Sequence, residues 1–245
     1  MLVLLYVGGP ILVLGLCVFA TVAVWELFRM LQGHGISFFP FSGALWIWLL
    51  IATSLIPSAT VPVIALGGVG VALIALVNRN AKSFEGAITT SWAALYLGLF
   101  FSYLVRIRQN PHGMHLAYVF FFVIWATDTI AYFIGRRWGA HKLLPAISPK
   151  KSWEGTLAGT IAGTLVAIVF AHWIGLSLLS AGLFGFIVSI VGQMGDLLES
   201  SLKRYTGVKD SGGLLPGHGG ILDRFDSALF ALPIAYYLLR SLGIS

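Results

Sequence analysis

Asp196 and Glu199 stand three residues apart, and so do Asp223 and Asp226. On a helix that spacing sets both carboxylates of a pair on one face. Between the pairs runs a segment rich in glycine and lysine that ends in Pro216-Gly217-His218-Gly219-Gly220. Glycines let backbone N–H groups approach a phosphate closely, and lysines neutralise its charge. Two carboxylate clusters flanking such a segment point to a magnesium site that holds a phosphate-bearing substrate. Residues 195–227 concentrate this chemistry, with five of the nine acidic residues and four of the fifteen basic ones, Lys203, Arg204, Lys209 and Arg224. A plainer account, a water-facing loop between two membrane helices, explains the charge. It does not explain why carboxylates pair one helical turn apart on both sides of a glycine-rich segment.

A second constellation lies upstream. Asp128 sits well inside the apolar run 115–134, where a charged group is costly and usually faces the bundle interior. Asp128, Tyr132 and Arg136 fall at i, i+4 and i+8 and share one helix face. A structural carboxylate paired with a neighbouring helix is the competing account. Residues 135–155 then form a basic loop with five cations, Arg136, Arg137, Lys142, Lys150 and Lys151. Such a loop marks membrane topology by default, and a clamp for phosphates is the second reading.

The elements that must carry these residues are apolar. The 245-residue chain is 58% hydrophobic and 10% charged, with a mean hydropathy of +0.91, whereas soluble domains carry about 25% charged residues. Apolar runs long enough to cross a bilayer recur at 2–27, 39–56, 61–77, 88–105, 115–134, 156–174, 178–198 and 225–242. The fold expected is all-α: a polytopic integral membrane helical bundle of about eight transmembrane helices. Glu26 and Arg29 mark the exit of the first span, Trp46 and Trp48 suit interface anchors in the second, and Gly67, Gly68 and Gly70 permit close packing in the third. With eight spans, twelve of the fifteen Lys/Arg fall on one side, leaving Arg106, Arg108 and Arg240 on the other. The richer side is the cytoplasmic one, so both charged constellations are expected there. The net charge of +6 suits anionic headgroups and phosphates. No basic stripe of the kind that binds nucleic acid appears, and the single cysteine, Cys17, supports neither an internal disulfide nor a cysteine metal cluster.

Ser201-Leu202-Lys203-Arg204, Lys209-Asp210-Ser211-Gly212 and Leu215-Pro216-Gly217-His218-Gly219-Gly220-Ile221-Leu222-Asp223-Arg224-Phe225-Asp226 together resemble the signature of the phosphatidate cytidylyltransferases (CDP-diacylglycerol synthases), without departure over 26 positions. Asp128-Thr129, Ala131-Tyr132, Gly135-Arg136, Gly139 and Ser148-Pro149-Lys150-Lys151-Ser152-Trp153-Glu154-Gly155 resemble the same family. Ser152 stands where family members often have Thr, and it keeps the hydroxyl. The specific resemblance covers residues 128–227, while the first four spans match only as apolar helices. It separates N-terminal membrane helices, 1–112, from a catalytic membrane region, 113–245, with cytoplasmic loops at 135–155 and 199–224.

The resemblance implies transfer of CMP from CTP to phosphatidic acid in the cytoplasmic membrane, with Mg2+ as cofactor and more than one ion expected. It implies Asp196 and Asp223 as metal ligands, supported by Glu199 and Asp226. Lys203, Arg204, Lys209 and Arg224 would hold triphosphate oxygens. Asp128, Arg136, Ser148, Lys150, Lys151, Glu154, Asp210, His218, Gly219 and Gly220 would contact substrate, His218 as a hydrogen bonder rather than an acid. The lipid bilayer is the expected partner besides the two substrates, nucleic acid is not, and a homodimer is the candidate assembly. Two alternatives stay open: a relative using another lipid phosphate, and a transporter or channel with Asp128 on its path.

Overall fold

The computed structural model describes residues 1–78, 82–212 and 219–244. His218, with the Leu215-Pro216-Gly217 part of the signature, lies outside them. In chain order the elements are α1 (Leu2–Val7), α2 (Gly9–Gly33), α3 (Pro40–Ala52), α4 (Thr60–Asn78), α5 (Ser83–Ala94), α6 (Phe100–Gln109), α7 (Gly113–Trp138), β1 (Lys142–Leu144), β2 (Ser148–Ser152), α8 (Trp153–Val169), α9 (Leu178–Tyr205) and α10 (Leu222–Ser241).

Among the described residues five helical stretches are long and apolar enough to cross a membrane: Gly9–Gly33, Pro57–Asn78, Ser83–Gln109, Gly113–Trp138 and Leu178–Tyr205. Two shorter apolar helices, α3 and α8, accompany them. At ~1.5 Å per residue, about 20 residues cover the ~30 Å hydrocarbon core of a bilayer. The chain is therefore an integral membrane protein with several spans, as its hydropathy implies. The first expected span is divided into α1 and α2 at Gly8, whose φ of 69° no continuing helix adopts. The second is α-helical only over α3. Beyond it the Thr53 and Ser54 hydroxyls donate back to the Leu50 and Ile51 carbonyls at 2.7 and 2.6 Å, and Pro57 begins a short 3-10 turn.

The chain packs as two compact units. One comprises Met1–Tyr6, Arg106–Leu202 and Asp226–Ser245; the other comprises Val7–Val105 and Lys203–Phe225. These units cut across the 1–112 and 113–245 regions distinguished by chemistry.

In the second unit α2, α3, α4 and α5 pack on one another. Trp46 is 4% exposed and its indole N–H donates to the Val63 carbonyl at 3.1 Å, lying over Gly67 of α4. It is a packing residue between helices, not the interface anchor its type suggests, because a small residue opposite makes room for the indole. Between α5 and α6 one π-helical stretch, Leu95–Leu99, brings Gly98 so close to α3 that an added Cβ would stand 2.9 Å from the Ile47 Cα.

The first unit is built on the α7–α8 pair. A Cβ added at Gly155 would meet the Ala131 carbonyl at 2.6 Å, and one at Gly159 the Thr127 carbonyl at the same distance. The helices approach main chain to main chain, as small residues allow in membranes. Between them the basic segment forms an antiparallel hairpin, not an open loop. Lys142 pairs with Ser152 and Leu144 with Ser148, with an irregularity between. Ser152 ends β2 and caps α8, its hydroxyl oxygen accepting from the Gly155 N–H at 3.2 Å. Such a cap is worth about 1 kcal/mol.

Candidate active site

In the first unit a cavity of about 660 Å³ opens between α7, the hairpin and α9. Asp128, Tyr132 and Arg136 line it from one face of α7, as their spacing requires, and Arg136 donates to the Tyr132 hydroxyl at 3.1 Å. The hairpin contributes Lys142, Lys150 and Lys151, and α9 contributes Gln193 and Asp196. Four cations thus face two carboxylates, a balance that suits a polyphosphate.

Lys151 joins the two sides. Its ammonium lies 2.8 Å from Asp196 Oδ2 and donates to the Gln193 carbonyl at 3.4 Å. The other Asp196 oxygen accepts from the Ser200 hydroxyl at 3.2 Å. Gln193 is fixed from below by its amide, which donates to Thr160 Oγ1 at 3.0 Å. Asp128 accepts from the Ser227 hydroxyl at 3.5 Å. The Asp226 and Asp196 carboxylates both act on Asp128 electrostatically, with Lys151 opposing them. Glu199, one turn beyond Asp196, is 3% exposed.

Two expected substrate contacts serve the hairpin itself. Glu154 Oε1 lies 2.6 Å from His141 Nδ1 and accepts from the His141 backbone N–H at 3.1 Å. The Trp153 N–H donates to the His141 carbonyl at 2.9 Å. His141 therefore holds the Glu154 carboxyl well below its ordinary range, at about 2. Ser148 opens β2, opposite Leu144.

In the second unit Asp223 is the centre of a different arrangement. Its Oδ1 takes the Lys203 ammonium at 2.6 Å. Its Oδ2 accepts from the Ser211 N–H at 3.0 Å, the Ser211 hydroxyl at 2.8 Å and the Gly220 N–H at 2.8 Å. Burial alone would raise this carboxyl, but Lys203, Gly220 and Ser211 hold it at about 2. Gly219 has a φ of 74° and lies against the same carboxylate, a conformation that a side chain would strain. Arg204 donates to the Val208 carbonyl at 3.5 Å, and Lys209, Asp210 and Arg224 are exposed.

Glu26 belongs to this arrangement too. It is 5% exposed and accepts from the Ile221 and Leu222 N–H groups, both at 2.9 Å. It is a buried acceptor, and a carboxylate in an apolar helix was the available signal. Gln193, Thr156 and Ser227 went unremarked for a different reason, since neutral polar residues in an apolar run carry no charge anomaly.

The resemblance implies a divalent cation, and the donors present are of the right class, hard carboxylate oxygens. Among the described residues no three His, Cys, Asp or Glu converge as a ready cage.

Comparison with known proteins agrees with this chemistry. The sequence profile of the cytidylyltransferase family matches residues 1–242. A phosphatidate cytidylyltransferase of Bacillus subtilis (strain 168) is 38% identical over 233 residues, 89% of this chain and 85% of that protein. One of Staphylococcus epidermidis (strain ATCC 12228) is 39% identical over 241 residues, 95% of this chain and 91% of that protein. One of Staphylococcus haemolyticus (strain JCSC1435) is 45% identical over 166 residues, which span 67% of this chain and 63% of that protein.

Proposed function

This chain belongs to the cytidylyltransferase family, and on that premise we propose that it transfers CMP from CTP to phosphatidic acid, giving CDP-diacylglycerol and pyrophosphate. The observation that carries the reading is the cavity in which Arg136, Lys142, Lys150 and Lys151 face Asp128 and Asp196. The nucleophile is a phosphate monoester whose second pKa lies near ~6, so it is mostly ionised at neutral pH. No side chain has to act as its general base. The reaction needs two anionic reactants brought together in line, with their charge neutralised.

The lysines and Arg136 supply fixed positive charge for phosphate oxygens. Asp196 is the proposed ligand for Mg2+, with Glu199 one turn away and Asp128 and Asp226 acting nearby; more than one ion is expected. The cation, when bound, neutralises phosphate oxygens as a Lewis acid. Lys151 then has a second task, since it holds Asp196 and faces the cavity and so can pass from carboxylate to phosphate as substrate arrives. Asp223, the other proposed ligand, is already engaged by Lys203 and by main chain and would give a cation less of its charge than Asp196. Lys203, Arg204, Lys209 and Arg224 remain the proposed contacts for the triphosphate. The Lys/Arg distribution supports a cytoplasmic site, where CTP is available.

The test is direct. Purified protein given labelled CTP, phosphatidic acid and Mg2+ should form liponucleotide and pyrophosphate in equal amounts, and neither without the lipid or the cation. Inorganic phosphate released from CTP without a lipid product would make it a nucleotidase instead. Turnover confined to another lipid phosphate would keep the chemistry and change the acceptor.

A further inference from the structure

We infer that Glu26 is a positioning residue of the site: reaching across from α2, it caps the N-terminus of α10 and fixes the loop base that carries Ser211, Gly220 and Asp223. The inference rests on reading Asp223 as part of the transferase site. The first N–H groups of a helix lack intrahelical acceptors and are usually met by a Ser, Thr, Asp or Asn side chain just before it. At α10 that place is taken by Ile221, which has no side-chain acceptor. Glu26 does the work instead, with Oε1 accepting from Ile221 N–H and Oε2 from Leu222 N–H, each at 2.9 Å. A negative charge is favoured at that end of a helix.

The cap is tied to Asp223 through one side chain. The Ser211 hydroxyl lies 2.8 Å from Asp223 Oδ2 and 3.5 Å from Glu26 Oε2, so the shorter contact takes its proton. Two carboxylates therefore flank Ser211, separately anchored by backbone amides. Glycines make room for this approach: a Cβ added at Gly212 would stand 2.7 Å from Glu26 Oε1, and one at Gly220 would meet the Ser211 hydroxyl and stand 2.5 Å from Glu26 Oε1. Glycine at both places lets the carboxylate reach the main chain. Glu26 touches no reacting atom in this scheme; it sets where Asp223 stands.

The experiment uses the whole detergent-purified chain with Glu26→Gln, Gly212→Ala and the double variant Glu26→Asp/Gly212→Ala. Gln keeps one acceptor oxygen and turns the other into a donor facing a donor. In Glu26→Gln, hydrogen exchange at Ile221 and Leu222 should quicken about ten-fold or more while peptides from α7 and α8 keep their rates. The kcat should fall roughly 10- to 100-fold with KM for the lipid phosphate little changed, since a misplacement of ~1 Å can cost ~100-fold in rate. A Cβ at Gly212 meets only Glu26 among its nearest atoms, so Gly212→Ala should reproduce this, and the shorter Asp should restore several-fold activity by vacating the space. Unchanged exchange at Ile221 and Leu222, quickening spread evenly along the chain, or no recovery in the double variant would overturn the inference. If Glu26→Gln does not accumulate, the two Gly212 variants decide. If the wild type forms no liponucleotide, the proposed function fails, and the exchange data still decide the cap.

Discussion

Asp196 and Asp223 occupy two kinds of surroundings. Asp196 lines an open cavity and is held by two side chains, Lys151 at 2.8 Å and Ser200 at 3.2 Å. Asp223 is gripped by main chain, the Ser211 and Gly220 amides, as well as by the Ser211 hydroxyl and Lys203. A side-chain partner can swing away for the cost of a rotamer change. A backbone amide can move only if the loop moves. The first arrangement leaves a carboxylate ready to exchange partners when a charged substrate arrives; the second ties a carboxylate to the main chain of Ser211 and Gly220.

The largest effect should come from Asp196→Asn, which removes the charge that holds a hard cation while keeping the shape. Turnover should drop by more than about a thousand-fold, as for residues acting as one unit with the reacting groups, and thermal unfolding of the detergent-solubilised protein should barely change. Near wild-type turnover across a Mg2+ titration would remove Asp196 from the cation site and break the contrast. Asp223→Asn should do less to rate and more to stability. Its remaining carbonyl oxygen still accepts from the loop amides, but Lys203 is left partly buried without its counter-charge. A fall of about 10- to 100-fold in turnover is expected, with a lower unfolding temperature that Lys203→Met in the same chain partly restores. Complete loss of turnover at unchanged stability would make Asp223 the equal of Asp196 and dissolve the contrast.

The smallest effect concerns the hairpin. The Glu154 carboxyl is lowered in the folded protein to about 2 by its bond to His141, against about 4.3 for a free glutamate. Its contribution is therefore fully present above about pH 4.3 and lost as pH falls through about 2. Protection of the Trp153 amide, its exchange relative to the intrinsic rate at each pH, should hold from neutrality down to about pH 4 and fall below it, with Glu154→Gln lowering it throughout. A profile insensitive to both would show that β1 and β2 hold together without the latch.

Much of this was legible in the sequence because membrane proteins place charge sparingly. Asp128 stood out in an apolar run, and its one-face alignment with Tyr132 and Arg136 is what the cavity shows. Helical spans followed from hydropathy. The hairpin was not legible, since Ser-Pro-Lys-Lys-Ser has little intrinsic preference for a strand. It is set by pairing with Lys142–Leu144 and by the Glu154 latch, both tertiary facts. Glu26 gave the same signal as Asp128 but lay near a helix end, where a charge passes for an interface residue. Its partners, Ile221 and Leu222, are apolar in name and offer only their main chain.

The close approach of α7 and α8 has a consequence for how the molecule meets its surroundings. Bilayers change thickness and order with temperature and acyl composition, and helices answer by tilting and sliding. Where two helices touch through Gly155 and Gly159, there are no flexible side chains between them to absorb such shifts. Such a pair should move as one piece, carrying Asp128 and the hairpin lysines together. The spacing of Asp128 and the hairpin lysines would thereby be insulated from the fluidity of the membrane around them.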